Sequence, residues 1–196
     1  MHGLIVIDVQ TDFCPGGALA VPEGDVVVAP INAVMADFDA VILTQDWHPA
    51  GHSSFASSHT GKAPFEMIDM AYGPQVLWPD HCVQGSPGAA FHPALRTDAD
   101  LILRKGFRAA IDSYSGFFEN DRSTPTGLEG YLRSRGITRL TLVGLATDFC
   151  VQYSALDAAR LGFAVEVRMQ ACRAIDLDGS LAAAVSAMKA AGVTLT

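Results

Sequence analysis

The sequence predicts an α/β fold: a three-layer, doubly wound, mainly parallel sheet with helices on both faces, formed by one domain spanning residues 1–196. Runs of largely apolar residues, as in buried parallel strands, occur at Leu4–Ile7, Ala40–Thr44 and Leu140–Val143. In the second half of the chain such runs alternate with helix-like segments, a pattern typical of βαβ units. At 196 residues the chain is long enough to bury a substantial core.

The composition is typical of a globular enzyme. Hydrophobic residues make up 49% of the chain and charged residues 17%, which excludes a disordered chain. The net charge of −8 argues against a nucleic-acid partner or an anionic membrane surface, and no apolar segment reaches the length of a membrane span. The chain enters an apolar run almost at once, without a basic region or small-residue cleavage site, so no targeting signal is expected. The four cysteines form no C-x-x-C pair. We therefore expect a cytoplasmic protein with reduced thiols.

The first half of the chain alternates predicted strands with loops. Leu4–Ile7 is predicted to be a central strand, and Asp8 follows it at the position where open α/β sheets place chemistry. A capping or turn role is the alternative for this carboxylate. A helix is predicted over Ala29–Phe38 and a second strand over Ala40–Thr44. The segment Ala56–Tyr72 has mixed periodicity and predicts no regular element.

A metal-ligand pattern follows the second strand. Asp46 and His48 alternate in sequence, so on an extended backbone both side chains leave the same face. A carboxylate and an imidazole so placed can share one divalent metal ion, although the pattern alone is a weak signal. His81, in a rigid loop beside an aromatic residue, is a candidate to complete the set. His52 lies in a polar loop and is either a further ligand or a surface residue.

Strands and helices alternate regularly from residue 101 onward. A strand over Leu101–Gly106 carries two cations at its end, and Thr124-Pro125 is predicted to start a helix that runs to Gly136. The remaining predicted elements are the strands Leu140–Val143 and Ala164–Val167, a helix over Leu181–Ala191 and a short strand Val193–Leu195.

The segment Val143–Cys150 has the form of a strand–turn–helix nucleophile site. A glycine ends the strand, and Thr147 or Asp148 can cap a helix with Cys150 in its first turn, where the helix dipole favours a thiolate. The dipole supplies only about 0.3–1 kcal/mol, whereas lowering a thiol pKa by one unit takes about 1.4 kcal/mol. A nearby base or cation is therefore needed, and Lys105 is the candidate cation. A buried, unreactive cysteine is the alternative.

Four chemically active side chains fall at the carboxyl ends of predicted strands or in the turns that follow: Asp8, Asp46, Lys105 and Cys150. The carboxyl ends of parallel strands meet at one edge of a sheet, which is where ligands bind. We therefore expect these four side chains to form one site.

Six motifs along nearly the whole chain add a family resemblance: IDVQTDFCPGGAL, TQDWHPAGHSSF, WPDHCVQGS, RKG, DSYSGF and VGLATDFCV. With them the chain resembles the isochorismatase-like cysteine hydrolase superfamily, and within it the nicotinamidase/pyrazinamidase family. The last motif is specific for the superfamily. The D-x-H pattern together with WP-x-H points to the nicotinamidases.

The resemblance implies an isochorismatase-like hydrolase fold and an activity. That activity is deamidation of nicotinamide to nicotinate and ammonia through a Cys150 thioester, with pyrazinamide as a further substrate. The implied triad is Asp8 as base, Lys105 as the cation that holds the Asp8 carboxylate, and Cys150 as nucleophile. Many relatives self-associate, so a homo-oligomer is an open expectation.

The resemblance also implies a metal and a substrate pocket. One divalent ion, expected to be Zn²⁺ with Fe²⁺ or Mn²⁺ as alternatives, is held by Asp46, His48 and His81. His52 is the second choice as a ligand, because its loop differs in length from that of the relatives. The implied pocket residues are Phe13, Trp78, Tyr114, Leu145 and Ala146, with a cis peptide bond between the last two that turns the Ala146 N–H towards the substrate.

Three alternatives stay open at this point. The first is a related amidohydrolase that acts on a carbamoyl or ureido substrate. The second is a metal hydrolase in which water attacks and Cys150 is structural. The third is a metal-stabilised binding or redox-sensing domain without catalytic activity.

Overall fold

A six-stranded parallel sheet forms the centre of the protein. The computed structural model describes all 196 residues, and its strands in chain order are β1 (His2–Ile7), β2 (Ala40–Asp46), β3 (Met67–Met70), β4 (Gly73–Val76), β5 (Leu101–Lys105), β6 (Arg139–Leu145), β7 (Ala164–Arg173) and β8 (Thr194–Leu195). The sheet has the order β5-β2-β1-β6-β7-β8, and all of its pairs are parallel. The strands β3 and β4 form a separate antiparallel pair.

Four α-helices accompany the sheet: α1 (Val28–Val34), α2 (Leu128–Ser134), α3 (Gln152–Arg160) and α4 (Ser180–Ala190). Every residue of β2 is buried, and so are Gly3 to Ile7 of β1. Because successive side chains of a strand point to opposite faces, both faces of the sheet centre are covered. The predicted doubly wound α/β fold is confirmed. No helix combines the length and apolar character needed to cross a bilayer.

The second predicted helix begins later than the sequence pattern indicated. Instead of starting at Thr124-Pro125, α2 starts at Leu128 and is preceded by Gly127 with φ of 99°. The Thr124 N–H and hydroxyl both donate to the Asp121 carboxylate, and Pro125 pairs with Phe118 in an isolated bridge. The threonine and proline therefore belong to a turn, not to a helix start.

Other predicted boundaries also change. The helix predicted over Ala29–Phe38 is α1 with a 3₁₀ turn on either side. The strand predicted to stop at Val167 continues as β7 to Arg173, and the segment without a predicted element contains β3. The end of β7 pairs with β6, and β3 pairs with the adjacent β4; strand pairing of either kind is not shown by the periodicity of one segment.

The glycine after Val143 does not end its strand, as the sequence suggested. Gly144 lies inside β6 with φ of 114°, at a register shift against β7. A Cβ there would lie 2.2 Å from the Ile7 carbonyl oxygen. Only glycine therefore allows β6 to pass this close to β1, immediately before the predicted nucleophile turn.

Candidate active site

The carboxyl edge of the sheet brings together four buried side chains at the point where the strand order reverses. β1 lies between β2 and β6. Asp8 follows β1, Asp46 ends β2, Lys105 ends β5, and Cys150 lies in the turn after β6. All four residues are buried. A crevice at such a topological switch point is where open α/β sheets bind ligands.

Asp8 is held in an unusual backbone conformation. Its φ is 49°, in the left-handed region that non-glycine residues rarely adopt. Its N–H donates to Thr44 Oγ1 at 3.2 Å, and the same hydroxyl donates to Asp8 Oδ1 at 2.6 Å. The second oxygen, Oδ2, lies beside the Lys105 ammonium. Oδ1 is therefore held by a hydroxyl, while Oδ2 keeps a lone pair that no hydroxyl or amide uses.

The Lys105 ammonium links the predicted triad to the predicted metal ligands. Its Nζ lies 2.8 Å from Asp8 Oδ2 and 2.5 Å from Asp46 Oδ1. It also donates to the Ser113 carbonyl at 2.8 Å and to Cys150 Sγ at 3.5 Å. The sequence pattern placed Lys105 near the thiol and Asp8, but it did not show the ion pair with Asp46 or the Ser113 contact.

The protonation states follow from burial and from this ion pair. Burial raises the pKa of Asp8 to about 6, against the opposing effect of Lys105. Burial likewise raises the pKa of the Cys150 thiol well above its usual range, although Lys105 opposes it. Burial lowers the pKa of Lys105, but Asp46 and Asp8 outweigh it, so the ammonium stays charged. The resting site therefore holds a neutral thiol, a charged lysine and a carboxylate.

That resting thiol corrects the expectation that the helix terminus favours a thiolate. The backbone around the cysteine differs as well, because residues Thr147–Val151 form a π-helical turn and α3 starts only at Gln152. The position before this turn is Ala146, and neither Thr147 nor Asp148 caps a helix here. The predicted capping roles of these two residues are therefore wrong.

The π-helical turn changes the backbone bonding next to the nucleophile. The Ala146 carbonyl accepts the N–H groups of Phe149 and Val151, both at 3.1 Å. In an α-helix its donor would be the N–H of Cys150. That N–H is therefore released from the Ala146 carbonyl, and π-bulges of this kind are frequent at functional sites. The peptide bond between Leu145 and Ala146 is cis.

Asp148 ties the nucleophile turn to a distant loop. Its carboxylate accepts the N–H of Ile175 at 3.0 Å and that of Asp176 at 2.7 Å. The hydroxyl of Ser180, the first residue of α4, donates to the same carboxylate. Because Ile175 lines the cavity beside Cys150, this contact fixes a cavity wall relative to the nucleophile.

The three predicted metal ligands lie close enough to hold one ion. His48 Nε2 is 3.6 Å and His81 Nε2 is 4.0 Å from Asp46 Oδ2. Two atoms bound to one ion at about 2.1 Å each can be up to about 4.2 Å apart, so both distances fit. A carboxylate with two imidazoles is a donor set that suits Zn²⁺, Fe²⁺ or Mn²⁺.

The bonds behind these histidines also suit a metal site. His48 Nδ1 lies 2.8 Å from the Gly106 carbonyl oxygen, and His81 Nδ1 lies 2.8 Å from that of Pro79. Since a carbonyl only accepts, each Nδ1 carries a proton, and Nε2 is the nitrogen of each ring that is left to bind a metal. Burial lowers the pKa of His81 to about 4, so its ring is neutral at neutral pH. A Cβ at Gly106 would lie 2.5 Å from the His48 ring, which explains the glycine there.

His52, the second choice as a ligand, has both ring nitrogens engaged. Its Nε2 bonds to the carbonyl oxygens of Arg108 and Ile111 at 2.9 and 3.2 Å, and its Nδ1 bonds to Ser54 Oγ at 2.8 Å. The ring lies beside that of His48, tilted by 43°, with 4.5 Å between the ring centroids. In this arrangement His52 supports the position of His48 and has no free lone pair for a metal.

A narrow cavity opens beside Cys150. The volume of this cavity that is open to water is only about 20 Å³, little more than one water molecule needs. Among its lining residues are Asp46, His81 and four of the predicted pocket residues: Phe13, Trp78, Tyr114 and Ala146. Several of the lining side chains are aromatic, so this cavity, here called the slot, suits a flat aromatic ring.

One predicted pocket residue does not line the cavity, and four unpredicted ones do. Leu145 is fully buried, and its side chain packs toward Gly24 instead. The additional lining residues are Leu19, Asp112, Phe149 and Ile175. Leu19, Asp112 and Phe149 lie inside the family motifs and could have been found there, whereas nothing in the local sequence marks Ile175.

A hydrogen-bond network fixes one aromatic wall of the cavity. Tyr114 Oη accepts from Gln75 Nε2 at 2.8 Å and from Trp78 Nε1 at 3.1 Å. Gln75 Nε2 also donates to Asp112 Oδ2 at 3.1 Å. Two donors on one hydroxyl hold the tyrosine ring rigidly against the tryptophan.

The chain matches known proteins over nearly its whole length. A family model described as the Isochorismatase domain matches residues 2–196. The nicotinamidase of Acinetobacter baylyi is 55% identical over 191 residues, which are 97% of this chain and 89% of that protein. A ureidoacrylate amidohydrolase of Agrobacterium fabrum matches only 50 residues at 44% identity, 26% of this chain and 19% of that protein.

Solved structures show the same fold and a similar sequence. A nicotinamidase and pyrazinamidase of Acinetobacter baumanii superposes with a TM-score of 0.98 at 53% identity, over 99% of this chain and 94% of that one. The pyrazinamidase of Pyrococcus horikoshii, in complex with zinc, superposes with a TM-score of 0.81 at 36% identity, over 100% of this chain and 98% of that one.

Proposed function

Since the chain belongs to the isochorismatase family of hydrolases, we propose that it deamidates nicotinamide to nicotinate and ammonia and also accepts pyrazinamide. One observation supports this most: Cys150 lies at a slot fit for a flat ring, and two of the candidate metal ligands, Asp46 and His81, line the same slot. A pyridine carboxamide has its amide and its ring nitrogen on the same flat ring. It can therefore reach both groups at once.

In the first step Asp8 acts as the general base for Cys150. The free lone pair on Asp8 Oδ2 takes the thiol proton as Sγ forms a bond to the carboxamide carbon, and the carbonyl electron pair moves onto its oxygen. Lys105, at 2.8 Å from Asp8 and 3.5 Å from Sγ, stabilises the anionic sulfur as it forms. Because the resting thiol is neutral, proton transfer and attack are coupled.

The tetrahedral intermediate carries a negative oxygen that needs donors. The N–H of Cys150, which the Ala146 carbonyl does not use, and the N–H of Ala146 are the groups we assign to this role. Removing one donor of an oxyanion hole costs about 10²–10³ in kcat in a well-studied protease.

Collapse of the intermediate releases ammonia. The carbon–nitrogen bond breaks, and Asp8 gives its proton to the departing nitrogen, which leaves a thioester on Cys150. Water then attacks the thioester carbon and gives a proton to Asp8, the carbon–sulfur bond breaks, and the thiol is restored from the same carboxyl group. The product is nicotinic acid, which loses its proton to water and leaves as nicotinate. One base thus serves both halves of the reaction.

Asp46, His48 and His81 would hold the divalent ion, and Zn²⁺ is our first choice. When bound, the ion supplies a Lewis-acid partner for the ring nitrogen, and this orients the ring. The donor set and the Nδ1 hydrogen bonds support a divalent ion at these residues, and the zinc complex of the Pyrococcus horikoshii pyrazinamidase favours Zn²⁺. Self-association and a cytoplasmic location stay predictions.

The test measures ammonia release by the metal-loaded protein from nicotinamide, pyrazinamide and benzamide. We expect turnover of the first two and a much lower kcat/KM for benzamide, which lacks a ring nitrogen. A carbamoyl or ureido substrate tests the alternative amidohydrolase, whose match to this chain is short. Turnover of that substrate without ammonia release from nicotinamide would overturn the proposed function.

A further inference from the structure

A second, wider space lies on the far side of one wall of the cavity. This space, here called the hairpin groove, runs between β3–β4 and the start of α4, and Met67, Pro74, Val76, Leu177 and Ala183 are among its lining residues. The volume of the groove that is open to water is about 320 Å³, whereas that of the cavity is about 20 Å³. Most of its lining residues are hydrophobic.

Two aromatic residues line both spaces, Tyr114 and Phe149. Tyr114 is held by two hydrogen bonds to its hydroxyl. Phe149 has no such anchor and is held by ring contacts alone, with centroids 4.9 Å from Trp78 and 5.7 Å from Tyr114. The Phe149 ring is therefore the part of the wall between the cavity and the groove that a substitution can remove without breaking a hydrogen-bond network.

We propose that Phe149 is a specificity-determining residue that closes the substrate slot towards the hairpin groove. The inference rests on the proposed function. In the proposed complex the ring nitrogen faces the metal site and the carboxamide faces Cys150. An apolar substituent must therefore project from another edge of the ring, and the side chain of Phe149 blocks its way into the groove. The groove is thus a latent subsite for pyridine carboxamides that carry an apolar group at the carbon meta to both the nitrogen and the carboxamide.

Phe149→Ala tests this with nicotinamide and 5-phenylnicotinamide as paired substrates. Nicotinamide should lose a few-fold in kcat/KM because the ring loses a contact. The ratio of kcat/KM for the substituted amide over nicotinamide should rise at least about tenfold, since small steric differences in apolar pockets change selectivity by about 10–200-fold. Phe149→Leu should give a smaller rise in the same direction.

Two matched variants locate the effect. Ala183→Phe, on an exposed residue that lines the groove and not the cavity, should cancel the gain in the Phe149→Ala background and leave nicotinamide turnover unchanged. Leu19→Ala enlarges the cavity on a wall that the groove does not share. Any rise in the kcat/KM ratio that this variant gives should persist when Ala183→Phe is added.

The outcomes separate the inference from the proposed function. If the wild type turns over nicotinamide and the kcat/KM ratio in Phe149→Ala is unchanged, the role of Phe149 is overturned and the proposed function is not. A gain that survives Ala183→Phe would overturn the groove as the subsite. A metal-loaded wild type that releases no ammonia from nicotinamide would overturn the proposed function and this inference together.

Discussion

Replacing Lys105 by Met removes the ammonium that separates two buried carboxylates. The distances of 2.8 Å to Asp8 and 2.5 Å to Asp46 correspond to about 6–7 kcal/mol of attraction each at an effective dielectric constant of about 20. Much of that gain offsets the desolvation of the lysine. The net loss on breaking a buried ion pair is about 3–5 kcal/mol, because the carboxylates stay buried without a partner.

For a chain of this size, such a loss lowers the melting temperature by roughly 6–20 °C. The measurement is a thermal melt followed by circular dichroism in chelator, because a bound metal would itself neutralise Asp46. Adding Asp8→Asn removes one of the uncompensated charges, so the double variant should melt above Lys105→Met and stay inactive. A single variant that melts within about 2 °C of wild type, or a double variant that melts no higher than Lys105→Met, would refute the buried charge cluster.

Two further predictions concern protonation and metal binding. Because the pKa of Asp8 is raised to about 6 and the base must be deprotonated, kcat/KM should fall as the pH drops through about 6; a profile that stays flat from pH 7 to pH 5 would contradict the assignment. His81→Ala should lose most of the bound metal, since it removes one of three ligands, whereas His52→Ala should keep close to one equivalent. Elemental analysis after gel filtration measures both, and equal metal loss in the two variants would contradict the ligand set.

Local patterns were enough to predict the fold and the meeting of the main site residues. Apolar runs mark strands that are covered on both faces, and polar residues directly after such strands must meet at one edge of a parallel sheet. This reasoning placed Asp8, Asp46, Lys105 and Cys150 together, as the structure shows. The motif glycines, by contrast, answer to distant segments, since Gly106 leaves room for His48 and Gly144 for Ile7.

The features that the sequence did not predict depend on contacts between distant segments. Lys105 reaches Asp46 across paired strands, and Ile175 is held at the cavity by Asp148. For the Cys150 thiol the sequence argument weighed the helix dipole and a nearby cation but left out burial, which raises the thiol pKa and outweighs the effect of Lys105. A π-helical turn has no sequence signature that separates it from the first turn of an α-helix.

The most direct test of the account compares ammonia release from nicotinamide by the wild type and by Cys150→Ala, with metal content measured in both. The account predicts release by the wild type and none by the variant at equal metal occupancy, since the thiol supplies the attacking sulfur. Comparable release by both would contradict it and would assign the attack to water at the metal site.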